Sequence, residues 1–220
     1  MKKIIAFLLV AVMAMSLVAC SNTGDNTTTA ADTTPAQTTA APETTGAAGD
    51  ETTGAADETI SVEVPEGNAA TTVLRNAWAN YSGEKFFAMG GDYDAMLNET
   101  AGDVALTSDY LTYSLLVPAE QIANLAEVGS LMHGMNANTF TCGAYKLVEG
   151  ADETAFVTAM QTAIQGNQWM CGFPETLLVV KAEGVLVIAF GNGEAVATFQ
   201  NGLTTAYANA EIVINEAIGG

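Results

Sequence analysis

Between residues 21 and 59 the chain carries no aromatic and no large aliphatic side chain. Thirteen of these 39 residues are Thr and nine are Ala, with scattered Gly and Pro and seven acidic residues. Such a segment has nothing to bury, so it cannot offset the entropy of ordering its own backbone. It reads, with Cys20 at its head, as a disordered tether over residues 20–59, with an end-to-end distance of about 35 Å as a flexible coil. Any folded core of this 220-residue chain must then come from residues 60–220, read as one globular domain.

Ahead of the tether, residues 1–19 read as a signal peptide: a positive head of Met1, Lys2 and Lys3, an apolar run over 4–14, and small residues up to Cys20. That run is shorter than the roughly 20 residues a spanning helix requires, and no later segment approaches the length without charges or glycine. No permanent transmembrane helix is expected. Leu17, Val18, Ala19 and Cys20 resemble the lipobox of bacterial lipoproteins, with Val18 where Ala or Ser is commoner. The resemblance implies a diacylglyceryl group on the Cys20 thiol, cleavage after Ala19, and a protein anchored on the outer face of the cell membrane. Two acyl chains anchor stably where one gives only reversible binding. The alternative is a plain secretory signal with an incidental Cys20.

Residues 60–220 hold four basic and eighteen acidic side chains, so they account for −14 of the chain's net charge of −19. A surface of that sign excludes nucleic acid as a natural partner. Two apolar periods alternate along the domain. Val73, Leu74, Ala77, Trp78 and Tyr81 recur at helical spacing behind a cap at Asn68, and Ile122 and Leu125 predict a shorter helix with Pro118 in its first turn. A helix over 152–165 shows the stripe Ala155, Phe156, Ala159, Met160, Ala163 and Ile164, opens on acidic residues and stops at Gly166. A last helix presents Val196, Phe199, Leu203 and Tyr207. Strands are predicted over 111–117, from the alternation of Leu111, Tyr113, Leu115 and Val117, and over 140–148. Residues 176–182 and 185–190 are nearly continuous apolar runs joined by Glu183-Gly184, which suits a tight hairpin, and a final strand is expected at 211–214. The fold class that follows is α+β, a largely antiparallel sheet covered by helices.

Trp169, Met170, Cys171, Gly172, Phe173, Pro174 and Glu175, between the acidic helix of Asp152-Glu153 and the apolar hairpin, complete a pattern that resembles the domain of unknown function 4358. That domain occurs in lipoproteins of Gram-positive anaerobes, behind a lipobox and a Thr-rich or Ser-rich tether. The resemblance covers about residues 106–200. Members often carry an Arg late in the helix, where this chain has Gln165, Gly166, Asn167 and Gln168. No activity is attached to the family, so the likeness implies fold and location.

Motifs that would carry chemistry are incomplete. Ser82 and Lys85 stand at the S-x-x-K spacing of penicillin-binding proteins, and Ser108-Asp109 mimics part of their second motif, but Tyr110 replaces the Asn and no K-T-G follows. His133 is the single histidine; with Met132, Met135 and Cys142 it would make a soft copper(I) site, or else simply a loop packing its methionines. Asp92, Asp94, Asn98, Glu99 and Asp103 form the densest acidic cluster, yet Leu97 and Met96 break the calcium-loop template. Neither Gly90-Gly91 nor Gly191-Asn192-Gly193 has phosphate-loop spacing, so no cofactor is called for.

Cys142 and Cys171 remain after lipidation and read two ways: a disulfide worth about 3 kcal/mol, or two thiols left reduced in an anaerobic host. Neither has a basic neighbour to activate it. These absences, with a tether suited to display, lead to a non-catalytic surface domain that binds an envelope protein or a small ligand. Trp169 and Phe173 are its candidate contact residues, the alternative for both being core packing. A second reading is an envelope hydrolase using the carboxylates of Asp92 and Asp94. The ligand-capturing part of a transporter is disfavoured, because such proteins need two lobes.

Overall fold

A computed structural model describes residues 65–219. The expected signal peptide, Cys20 and the tether lie outside the described residues. The described part is α+β, an antiparallel sheet with helices on both faces.

Helix α1 (Ala69–Ala79) begins where the Asn68 side chain accepts a hydrogen bond from the Thr71 N–H at 2.8 Å, the cap expected of Asn. Its stripe of Ala70, Val73, Leu74, Ala77 and Trp78 is buried. Three short strands follow, β1 (Ala88–Gly90), β2 (Leu97–Asn98) and β3 (Gly102–Asp103), then a single helical turn α2 (Tyr110–Tyr113). Strands β4 (Leu125–His133) and β5 (Phe140–Leu147) pair along their length. Helix α3 (Glu153–Gln165) is capped by Asp152, which accepts from Ala155 N–H at 3.0 Å, with Glu153 in its first turn where the helix dipole favours an anion. Strands β6 (Thr176–Ala182) and β7 (Val185–Gly191) form the expected hairpin. Glu183 and Gly184 take φ of 50° and 74°, the left-handed pair of a turn whose twist matches that of the strands. Helix α4 (Gly193–Ala206), capped by Asn192, and strand β8 (Glu211–Ala217) complete the chain.

Strand order is β2-β1-β4-β5-β7-β6-β8, with β3 also pairing with β4. On one face, Phe140, Cys142, Ala144, Val187 and Ala189 pack beneath α1 and α4. On the other, Tyr145, Leu186, Ile188 and Phe190 pack beneath α3, α2 and the segment that follows α2.

Three expectations are corrected. Residues 111–117 are not a strand: Ser108 Oγ accepts from Tyr110 N–H and starts a helical turn, whose spacing also suits Leu111 and Leu115, and Leu116 then takes a φ of 57°. The helix expected around Ile122 and Leu125 is a 3₁₀ turn (Ala119–Asn124), and Leu125 opens β4, a strand masked in the sequence by a bulge between Leu125 and Glu127 and by Gly129 and Ser130. Along α3, Ala155 is exposed and Ala159 and Ala163 are half-buried, because the helix docks by the narrower stripe Phe156, Val157, Met160 and Ile164.

Helices α1 and α4 touch at Gly202, where an added Cβ would stand 2.5 Å from the Ala77 carbonyl oxygen. A backbone atom cannot yield as a side-chain tip can. Gly202→Ala is expected to lower stability by about 1–3 kcal/mol, read from the urea midpoint. Asn201→Ala, on the exposed side of the same turn, should stay within about 0.5 kcal/mol of the parent. Equal midpoints for the two variants would contradict the close helix contact.

Candidate functional site

β4 and β7 end, and β5 and β6 begin, at one end of the sheet, so the β4–β5 turn, the α3–β6 loop and the start of α4 gather there. Polar bonds tie the loops together. The Asn138 amide donates to the carbonyls of Met170 at 2.8 Å and Gly172 at 3.1 Å, and Asn192 N–H donates to Thr139 O at 2.8 Å. Glu175 accepts from Gly193 N–H at 2.8 Å, placing a carboxylate at the N-terminus of α4.

On the α3 side of this end lies a cleft of about 350 Å³, within the usual range for small-ligand sites. Its wall is aromatic and sulfur-bearing: Tyr93, Tyr110, Tyr113, Trp169, Phe190 and Met132. Tyr93 meets Tyr110 edge-on, with centroids 5.0 Å apart, and Trp169 tilts against Phe190 at 5.4 Å. Its polar lining is uncharged, comprising Ser114, Asn138, Thr141, Asn167 and Gln168. Met170 projects from the rim at 78% exposure, with Phe173 at 72% and Met135 at 81% in the adjoining loops. One lining residue, Leu116, and one residue of the adjoining loop, Cys171, hold left-handed backbone, at φ of 57° and 62°. Such conformations cost of order 1 kcal/mol or more for residues other than glycine and persist only where surrounding structure enforces them.

Trp169 is half-buried against the core, and its Nε1–H is shut from solvent with no acceptor. An orphaned buried donor costs about 1–3 kcal/mol and calls for an explanation. Phe173 is exposed and outside the core. The structure therefore separates the two sequence candidates, one forming the cleft wall and one lying in the loop beside it. Tyr93, Tyr110, Tyr113, Leu116 and Phe190 went unrecognised, and Met132 was considered only as a copper(I) ligand, because these residues come from several segments and no short spacing links them all. The one local hint is three tyrosines within residues 93–113.

Remaining candidates are dispersed. Cys142 is fully buried on β5, where burial pushes its thiol well up, and Cys171 is exposed; both are free thiols, so no disulfide joins them. Asp92 is buried, and its two carboxylate oxygens accept from the Asp94 and Ala105 N–H groups at 3.2 and 3.0 Å, which makes it a turn organiser, while Asp94 is exposed. Met132 faces the cleft whereas His133 turns to the opposite face, stacked on Phe86 with Nδ1 accepting from the Met135 and Asn136 N–H groups. Among the described residues no three His, Cys, Asp or Glu side chains converge as metal ligands. Lys85 stands over the Trp78 ring. A broader depression of about 660 Å³ covers the outer face of α3, but it is open, and Thr158 and Thr162 turn their hydroxyls back to helix carbonyls.

Burial pushes the Tyr110 phenol up to about 12, against a partial pull from Ser130. The Ser130 Oγ is already engaged with the N–H and C=O of Gly91, so the Tyr110 hydroxyl has no well-formed bond. An unfolded tyrosine ionises near pH 10, so above that pH the unfolded chain sheds a proton that the folded chain keeps. Stability intact below about pH 10 is lost as pH rises toward 12, by about 2–3 kcal/mol for this group. Tyr110→Phe should be at least as stable as the parent at pH 8, since it removes an unpartnered buried hydroxyl, and lose less stability by pH 11.5, read as urea midpoints across the range. Parallel pH slopes would contradict this assignment.

The chain matches no family model, no curated protein and no solved structure.

Proposed function

We propose that this chain is a lipid-anchored extracytoplasmic protein whose sheet domain binds a ligand, without catalysis, in the cleft walled by Trp169. The observation that carries the proposal is the buried, acceptor-less Trp169 Nε1–H in an uncharged aromatic cleft. Apolar lining with a few polar groups at the mouth is the usual make-up of a small-molecule site, and an unpaired donor in its wall would gain a partner on binding. Strained backbone at Leu116 and Cys171 fits a preformed binding end better than a packing end. Anchoring rests on the apolar signal and on Leu17-Val18-Ala19-Cys20, whose likeness to the lipobox also supports kinship with lipoproteins bearing domain 4358. The tether would hold the acidic domain clear of the bilayer.

Two experiments test the two halves. In a Triton X-114 phase separation of cells expressing the full chain, the parent should enter the detergent phase and Cys20→Ala the aqueous phase; equal partition would overturn anchoring. For the cleft, the neutral dye Nile red should bind the folded full chain saturably. Trp169→Ala should weaken that binding at least tenfold, and Phe173→Ala a few fold, with Phe173→Ala changing stability by less than about 0.5 kcal/mol. Dye binding unaffected by Trp169→Phe and Trp169→Ala alike would overturn the cleft as the site, as would unfolding of the domain by Phe173→Ala.

A further inference from the structure

Cleft chemistry narrows the ligand class. No lining residue carries a charge. An anionic ligand would find no cation there and would approach a domain of net charge −14, so phosphates and carboxylates are disfavoured. A quaternary ammonium would suit the aromatic wall and the overall field, yet it offers no acceptor to the Trp169 Nε1–H. An extended peptide added as a strand would need a free edge, but β4, β5 and β7 are each paired on both sides. A flat nucleobase would need a slot between parallel rings. The lining pairs instead meet at 72° for Tyr93–Tyr110 and 50° for Trp169–Phe190.

What remains uncommitted is informative. Asn167 and Gln168 make no side-chain hydrogen bond among the described residues, whereas Ser114, Asn138 and Thr141 are already bonded within the protein. The open groups are thus two amides, each able to donate and accept, the Tyr110 and Tyr113 hydroxyls, and one indole donor beside an aromatic face. A ring with an apolar C–H face and an edge of neutral hydroxyl groups matches that set: the face packs on the indole, and the hydroxyls exchange hydrogen bonds with both amides and accept from Nε1–H.

Resting on the cleft reading above, we infer that the cleft takes an uncharged sugar, as a mono- or disaccharide unit, oriented by Trp169, Asn167 and Gln168. The loop 169–173 must yield slightly for a hydroxyl to reach the buried Nε1–H, and the exposed Cys171 and half-buried Gly172, both at positive φ, mark where it would bend.

The test uses the purified full chain and the intrinsic fluorescence of its two tryptophans, of which Trp78 is in the core. It is titrated with glucose, N-acetylglucosamine and their β-linked disaccharides, and in parallel with glucuronic acid, glucose 6-phosphate, choline and adenosine. At least one neutral sugar should shift the emission saturably, with Trp169→Phe abolishing the shift. Asn167→Ala and Gln168→Ala should weaken binding about tenfold at unchanged melting temperature, and the charged counterpart of that sugar should bind at least tenfold more weakly. Choline, adenosine or a charged sugar binding more tightly than every neutral sugar would overturn the ligand class. So would silence from all sugars while Nile red still depends on Trp169, with the cleft itself surviving. Silence from the sugars together with Nile red binding that ignores Trp169 would overturn the inference and the cleft reading alike.

Discussion

Every residue of β7 from Val185 to Gly191 is buried, and β7 lies between β5 and β6 in the interior of the sheet. A strand buried on both faces needs a layer of cover on each, and the rest of the chain supplies two unlike layers. Val185, Val187 and Ala189 face α1 and α4, where small neighbours such as Ala144, Ala182 and Gly202 let backbones approach closely. Leu186, Ile188 and Phe190 face a bulkier layer, with Tyr145 and Phe156 in tilted contact at 5.4 Å. One long helix, α3, covers only part of that second face. The remainder is covered by α2, the segment around Leu116 and the loop at Trp169, and the cleft lies where these pieces meet. The site is a consequence of how the second layer is assembled.

This division explains what could be read in the sequence. The β6–β7 hairpin, α1 and α3 were legible because each combines a long apolar period with its own boundary signal, Glu183-Gly184 for the turn, Asn68 and the acidic start at Asp152, and α4 was legible from its apolar stripe alone. Strand β4 was hidden because its identity lies in partners far along the chain. Ser130 satisfies both backbone groups of Gly91, and Gly129 lies so close beneath α1 that an added Cβ would stand 2.8 Å from the Thr71 backbone. Polar and Gly positions of that kind erase a period-2 pattern while serving the fold. Leu111 and Leu115 suit a helical turn as well as an extended run, and the local bonds that favour the turn, such as Tyr110 N–H to Ser108 Oγ and Tyr113 N–H to Asp109 O, leave no apolar period to read. In the site, Trp169 and Phe173 were visible as aromatics in a loop, but their different roles depend on Phe190, which packs against one of them.

The charge distribution reinforces the cleft's neutrality. All four basic side chains of the described domain are engaged: Lys146 with Glu127 at 2.8 Å, Lys181 with Glu153 at 2.6 Å, Arg75 with the carbonyls of Ala101 and Pro65, and Lys85 over Trp78. Glu127 shows how the carboxylates are used. Lys146 holds its pKa below the ordinary value, and its other oxygen accepts from Ala69 N–H at the start of α1, so one carboxylate joins β4, β5 and α1. Exposed ion pairs of this kind contribute at most about 1 kcal/mol, so their value here lies in geometry more than in stability.

With every cation committed, the surplus carboxylates are left facing solvent, and over distances within about 10 Å at moderate salt they bias what approaches. Anions are repelled before they meet the cleft, and cations are drawn to the surface carboxylates without finding a countercharge in the cleft itself. An uncharged ligand feels neither effect. On the proposed reading its affinity would depend on shape and on the few groups left without partners, Trp169 Nε1–H, the Tyr110 hydroxyl and the Asn167 and Gln168 amides. On the proposed reading, a strongly acidic domain with an uncharged cleft would select by two independent means, the field outside and the hydrogen-bonding pattern within. Neither depends on a reactive group.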